Sequence, residues 1–413
     1  MKSRILLPAF LSCLLLGFFA THSLAKIKIH PSITLQEEYT DNLYLTDKDE
    51  EEDWITTVEP GISLNYDGSL VDLTIGYSLR YQFYKNNSDD NQTSFEGIQR
   101  ADVTTTLFRG NPFTVGVSGT ISRETLDERE NNTDENELVN KSTVYQLSVT
   151  PRYRLQLGES FSLVFGYSYD RTDYVDPLGN DSEDHTGRLS LVKQLSTNTE
   201  ISANYSYTVH QSEDDEEYDE QRYTLGLNQQ LGPRTRISLE GGYSTVEFDT
   251  GLDDETTNWL VDLSYRLTAP LTLSLVYTQD FSVTATEGLT KTRDAGFVVA
   301  YAKESLTASV ELFWKFSDYV RQLREDESYG SRFSLSVPLS RALTSNFNAE
   351  YEKAQYDDVT VEEVDRYSVG ASVDYEFRRF LTSLGYRYRL KDSDDNDNDY
   401  ANNTVTLSVS LRF

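Results

Sequence analysis

Val405, Leu407, Val409, Leu411 and Phe413 take every second position at the end of the chain, with Thr404, Thr406, Ser408, Ser410 and Arg412 between them. An alternation of period two places the two sets on opposite faces of a β-strand. The pattern recurs upstream. Trp54, Thr56, Val58, Pro60, Ile62, Leu64 and Tyr66 share one face; beyond Asp67-Gly68-Ser69, Val71, Leu73, Ile75, Tyr77, Leu79, Tyr81 and Phe83 share the same kind of face, with Asp72, Thr74, Gly76, Ser78, Arg80 and Gln82 opposite. About every 39 residues the unit returns as a strand of about 10 to 13 residues, a short turn, a second strand and a long acidic loop.

Two classes of connection alternate. Arg109-Gly110-Asn111, Leu157-Gly158-Glu159, Gly232-Pro233-Arg234 and Ala269-Pro270 carry tight-turn chemistry, whereas residues 47–53 (DKDEEED), 124–141, 172–185, 211–221 (QSEDDEEYDEQ), 249–257 and 392–399 (DSDDNDND) are long and acidic. Strict alternation puts short turns on one rim and long loops on the other. The expectation is an all-β fold: a transmembrane antiparallel up-and-down β-barrel of about 20 strands, 18 being the lower count, with short periplasmic turns and long acidic extracellular loops. A secreted propeller or sandwich is the soluble alternative. It would need a second sheet over the polar face and shorter strands, and it would not place aromatics at both strand ends. Here Tyr81, Phe83, Tyr169, Tyr207 and Tyr243 close upward strands, and Tyr66, Tyr153, Tyr265, Tyr375 and Phe413 close downward ones. Two aromatic girdles are the mark of two membrane interfaces. Val409, Leu411 and the terminal Phe413 resemble the signal by which such proteins are recognised for barrel assembly, which makes the barrel-assembly machinery an expected partner.

Composition then narrows the compartment. Lys2 and Arg4 precede an apolar run from Ile5 to Ala20, and Ser23-Leu24-Ala25 supplies small cleavage residues, so residues 1–25 read as a signal peptide cut after Ala25, with residues 26–413 forming the barrel. Cys13, the sole cysteine, lies in the removed segment. The net charge of −31 becomes −33 without Lys2 and Arg4, which excludes a nucleic-acid footprint. No later stretch approaches 18 consecutive apolar residues, so no transmembrane helix is expected. Integral residence in the outer membrane of a Gram-negative cell follows, with outer-membrane lipid and lipopolysaccharide as surroundings.

About 20 strands imply a wide lumen. The first strand follows the cleavage site closely, which argues against an N-terminal plug. Candidate lumen-lining residues are Arg80, Arg152, Arg154, Arg266, Glu311, Lys315, Arg387 and Arg389, either as contact points for a hydrated, acidic polymer or as partners within a polar wall. In the first strand Glu37 follows Ile33 and Leu35 on the lipid-facing alternation, so a bulge or an early end of the lipid zone is expected there.

No metal site or cofactor is expected. Asp392, Asp394, Asp395, Asp397 and Asp399 offer hard oxygens, but Tyr400 stands where a calcium loop starting at Asp395 needs Gly and Thr406 where it needs Glu. The run reads as solvated surface, with loosely held divalent cations bridging it to lipopolysaccharide. Asp184-His185 and His210 near Ser212 are the only footing for a barrel-borne hydrolase, and adjacency in sequence is not geometry. The chain is expected not to be an enzyme.

Residues 33–46 (ITLQEEYTDNLYLT), 53–68 (DWITTVEPGISLNYDG) and 71–84 (VDLTIGYSLRYQFY) resemble the start of the putative β-barrel porin 2 family. Tyr39-Thr40-Asp41-Asn42 and Val58-Glu59-Pro60-Gly61-Ile62 carry the resemblance. Those outer-membrane barrels recur beside exopolysaccharide export and exosortase (PEP-CTERM) loci. The resemblance therefore implies a channel in polysaccharide export, with a periplasmic export protein and the polymer as partners. The alternative is a general or solute-selective diffusion porin.

Overall fold

Side chains that alternate apolar and polar can satisfy both lipid and water only if every backbone N–H and C=O is bonded within the wall. The computed structural model achieves this by closure. It describes residues 26–413 except 134–135, 213–216, 323, 358–360 and 395–397; the expected signal segment with Ala25 lies outside the described residues, as do Asp395 and Asp397. In chain order the strands are β1 (Lys26–Thr40), β2 (Asp53–Asp67), β3 (Val71–Leu79), β4 (Tyr81–Tyr84), β5 (Gln99–Leu107), β6 (Phe113–Thr125), β7 (Lys141–Gln156), β8 (Phe161–Tyr174), β9 (Ser182–Ser196) and β10 (Thr199–Ser212). There follow β11 (Tyr218–Leu231), β12 (Thr235–Phe248), β13 (Asp253–Arg266), β14 (Leu271–Thr284), β15 (Gly288–Lys303), β16 (Leu306–Tyr319), β17 (Glu325–Pro338), β18 (Leu343–Asp357), β19 (Val361–Phe377), β20 (Phe380–Ser393) and β21 (Tyr400–Arg412).

β3 and β4 both pair with β2 and form one crossing interrupted at Arg80, so the wall has 20 antiparallel strands. β1 closes it against β21, from Ser32 opposite Arg412 to Thr40 opposite Thr404, and the Phe413 N–H donates to Pro31 O across that seam at 3.0 Å. Short turns lie on one rim as expected; Gly110 and Gly232 there hold φ of +79° and +68°, open to glycine at no steric cost.

The lipid-facing alternation is exposed along the wall, as at Leu225 (70%) and Leu312 (53%). Above it a recurrent contact marks where lipid gives way to water. An outward aromatic donates to a carboxylate two residues higher on the neighbouring strand: Tyr39 to Glu52 at 2.7 Å, Trp314 to Glu327 at 2.6 Å, Tyr351 to Asp365 at 2.7 Å, and Tyr207 and Tyr243 to Asp219 and Glu255. An amphipathic ring can lie in hydrocarbon while its polar tip meets a solvated acid.

One expectation changes and another is refined. β1 and β2 pair without a register shift from Lys26–Asp67 to Thr40–Asp53, so there is no bulge at Glu37; its carboxylate instead accepts from Thr56 Oγ1 at 2.9 Å, two pairs below the Tyr39–Trp54 ring contact. Of the acidic stretches, 47–53, 124–141 and 392–399 are loop over most of their described length, as expected, while 172–185, 211–221 and 249–257 run partly in strand. Residues 253–257 pair with 243–247, and 217 is followed at once by β11. Fourteen residues at roughly 3.3 Å each reach about 46 Å, beyond a tilted crossing of a hydrocarbon core about 30 Å thick. The hairpins therefore project past the membrane, where polar residues on both faces erase the alternation without breaking the ladder. Among the described residues no helix is long and apolar enough to cross a membrane, which says nothing about strands.

Candidate functional site: the lumen and its extracellular mouth

The polar alternation faces inward, and its charges are placed by register. Glu311, Arg332, Glu350, Ser368, Arg389 and Asn402 form one row across β16 to β21. Arg332 stands between Glu350 (2.8 Å) and Glu311 (3.8 Å) and lies over the Phe313 ring. Another row runs Arg152, Gly166, Arg188, Ser206, Arg222 across β7 to β11. Of the candidate lining residues, Arg80 bonds Glu59 (3.3 Å) and Glu137 (2.9 Å), Lys315 reaches Glu128 (3.2 Å), Arg389 is buried, and Arg387 sits opposite Thr404. Arg266 lies at the periplasmic end of β13 opposite Thr272, and Arg152 and Arg154 are exposed to the lumen. Arg188, Arg222 and Arg332 were missed in the sequence although simple continuation of the period would have found them.

The feature that periodicity could not show is the loop between β6 and β7, residues 126–140. Its base is tied by Leu126 N–H to Asn140 O at 3.1 Å. On its own side Glu137 joins Arg80 and Arg100, and the Arg123 guanidinium donates to Glu137 O. The rest of the loop runs across the mouth. Asn136 and Asn131 donate to Leu43 O and Leu45 O of the β1–β2 loop, and Tyr400 donates to Asn132 O. Lys391, 1% exposed, donates to Arg129 O (2.8 Å) and Asn131 Oδ1 (2.9 Å), while Arg366 donates to Glu128 O (2.8 Å). With Lys315 also on Glu128, the loop touches β16, β19, β20 and β21, walls far around the barrel from β6.

A second element comes to meet it. β13 and β14 stop pairing at Trp259 opposite Gln279, whereas β14 and β15 continue to Thr284 opposite Gly288. Above that point Phe281 and Leu289, on the lipid-facing alternation, pack against Tyr218, Val246 and Phe248, on the lumen-facing one. Only an inward lean of the β14–β15 tip brings those two faces together. At the tip, Ala285 O accepts from Asn180 N of the β8–β9 loop (2.8 Å), and Glu287 accepts from Arg129 (2.9 Å) and pairs with Arg324 (3.2 Å). Arg129 in turn holds Asp127 at 2.9 Å. Burial pushes the Asp127 carboxyl up, but hydrogen bonds from the Arg129 side chain and backbone, with its positive charge, bring it below the usual carboxylate value.

His210 is buried, its Nδ1 2.7 Å from Asp184 Oδ1 and its ring stacked on Tyr218. Ser212 donates to Asp181 O, and His185, on the opposite face, meets Tyr167 OH at 2.6 Å.

No curated protein matches the chain. Among solved structures, a mutant of the ferric enterobactin receptor PfeA from Pseudomonas aeruginosa superposes with a TM-score of 0.54 at 10% identity, covering 94% of this chain and 80% of that one. The FrpB iron transporter from Neisseria meningitidis (F5-1 variant) gives 0.51 at 9% identity over 93% and 82%. At such identities the likeness shows the fold alone. Residues 328–413 match the family model described as "Putative beta-barrel porin 2"; the first strands, on which the resemblance rests, lie outside the matched segment. The chain is thus a porin-like, integral outer-membrane β-barrel whose residues 328–413 match the model of the putative beta-barrel porin 2 family.

Proposed function

We propose that this barrel is a gated outer-membrane conduit in the export of an extracellular polysaccharide. The observation that carries the reading is the β6–β7 loop lying across the mouth and fastened to distant walls by polar contacts. A bar fastened at so many points suits an export channel, which must be shut when no polymer is passing. The bar is held by ion pairs and hydrogen bonds, which water or a hydrated polymer can replace one by one. A 20-strand wall lined with hydroxyls, amides and charges of both signs suits a hydrated chain. In this reading a periplasmic export protein delivers the polymer from below, the barrel-assembly machinery inserts the chain by Val409, Leu411 and Phe413, and the projecting acidic hairpins stand among lipopolysaccharide headgroups.

A solute porin is the second reading, favoured by the name of the matching family. The test is to delete the gene and measure polysaccharide separately in the medium and the periplasm. Loss of polymer outside supports export; unchanged polymer with altered uptake of small solutes makes the protein a porin.

A further inference from the structure

Among the described residues, arginines without a carboxylate partner gather on one side of the lumen, on the wall from β7 to β10 and, as Arg236 and Arg266, at the periplasmic ends of β12 and β13. On the other side Arg332 is held between two carboxylates, and Arg80, Arg129 and Arg324 each have one or two. On the lumen faces of β7 to β10, Arg152, Arg154 and Arg188 are exposed and, among the described residues, make no ion pair. The carboxylates on those faces are Glu200 at the periplasmic end and Asp170 and Asp184 toward the mouth, and Asp184 is held by His210. Between the arginines the register places Gly166 and Ser206, with Val164 and Ser190 in the next row, so no large side chain covers the guanidinium groups. Arg152 and Arg188 are two strands apart, about 10 Å between backbones. Arg222, two strands further on, is neutralised by Glu220 and Asp280, which ends the row.

Leaving three guanidinium groups unmatched in a chain of net charge −31 runs against the bulk composition. The β6–β7 loop makes its distant contacts on β16, β19, β20, β21 and the β14–β15 tip, so none of them covers this sector. A planar guanidinium offers paired N–H donors that fit a carboxylate. We infer that Arg152, Arg154 and Arg188 form a binding track for a carboxylate-bearing saccharide chain, successive acidic sugars being passed along the wall from Arg154 toward the mouth. This names the polymer class and rests on the export reading, although its test does not depend on any export phenotype.

The experiment is equilibrium binding by the full chain in detergent. The probes are an oligogalacturonate, its fully methyl-esterified counterpart and inorganic phosphate. The expected result is binding of the oligogalacturonate alone, weakened about tenfold by Arg152→Gln/Arg188→Gln and by added salt. Arg332→Gln, whose guanidinium is already matched, serves as the control and leaves binding unchanged. Heat-modifiable gel mobility confirms that each variant is a folded barrel. Equal binding of the methyl ester, equally tight binding of phosphate, no binding by the wild type, or an undiminished affinity in the double variant overturns the inference. Export could still fail or succeed in the deletion strain independently of that outcome.

Discussion

Arg129 and Glu287 are 158 residues apart in sequence and 2.9 Å apart in the structure, one on the loop after β6 and the other at the tip of the β14–β15 hairpin. Both side chains are mostly sheltered, and each has a second partner, Asp127 for Arg129 and Arg324 for Glu287. The pair joins two elements that enter the mouth from different sectors of the wall.

Breaking that junction is expected to loosen the bar without unfolding the barrel. Arg129→Ala or Glu287→Gln should cost the closed state about 1 to 2 kcal/mol, since members of a network exceed an isolated surface pair. Single-channel recording should show open time rising roughly 5- to 30-fold. An unchanged open time would mean that the junction holds nothing.

Asp127 makes the junction sensitive to acid. Because its folded value lies below the ordinary carboxylate value, its contribution is fully present above about pH 4 and is lost as pH falls through the lowered value. Channel opening should therefore be flat from pH 7 to about 4 and rise below it. Asp127→Asn should be open more often at neutral pH and show a smaller acid response.

The approach of the β8–β9 loop to the β14–β15 tip can be trapped covalently. A backbone bond of 2.8 Å joins Asn180 N to Ala285 O, and the only native cysteine is Cys13. Asn180→Cys/Ala285→Cys should form an intramolecular disulfide under mild oxidation, seen as a reductant-sensitive mobility shift. Two free thiols after oxidation would place the tip elsewhere.

In the wall, Gly330 lies where a Cβ would come within 2.1 Å of Tyr351 O and 2.7 Å of the Phe313 ring. Gly330→Val should destabilise the barrel by roughly 1 to 3 kcal/mol and lower the temperature at which the folded gel band converts to the unfolded one. A Gly330→Ala variant should fall between the two.

How much of this was legible follows from what a period can carry. The faces of Trp54 to Phe83, the turn at Gly232-Pro233-Arg234 and the closure near Phe413 were all written in alternation and turn chemistry, because lipid imposes them residue by residue. The length of the hairpins was not. Above Tyr243 the outward face of β12 turns polar while Val246 and Phe248 on the other face pack against the β14–β15 tip, so Glu247 and Asp253 pair without continuing the lipid-facing apolar set. The bar was hidden for another reason. Arg129 and Glu287 look like solvated loop charges, and nothing local distinguishes an acidic loop that folds inward from one that does not. Glu37 shows the converse: a charge that periodicity marked as a fault is accommodated by one hydroxyl, Thr56 Oγ1.

The most direct measurement is the conductance of the purified full chain in a planar bilayer beside a variant in which residues 128–137 are replaced by a short glycine-serine linker. The result expected is a wild type that is closed or opens only briefly and a variant with large, steady conductance. A wild type that conducts steadily at the variant's level would show that the β6–β7 loop does not bar the pore, and the gated-conduit reading would fall with it.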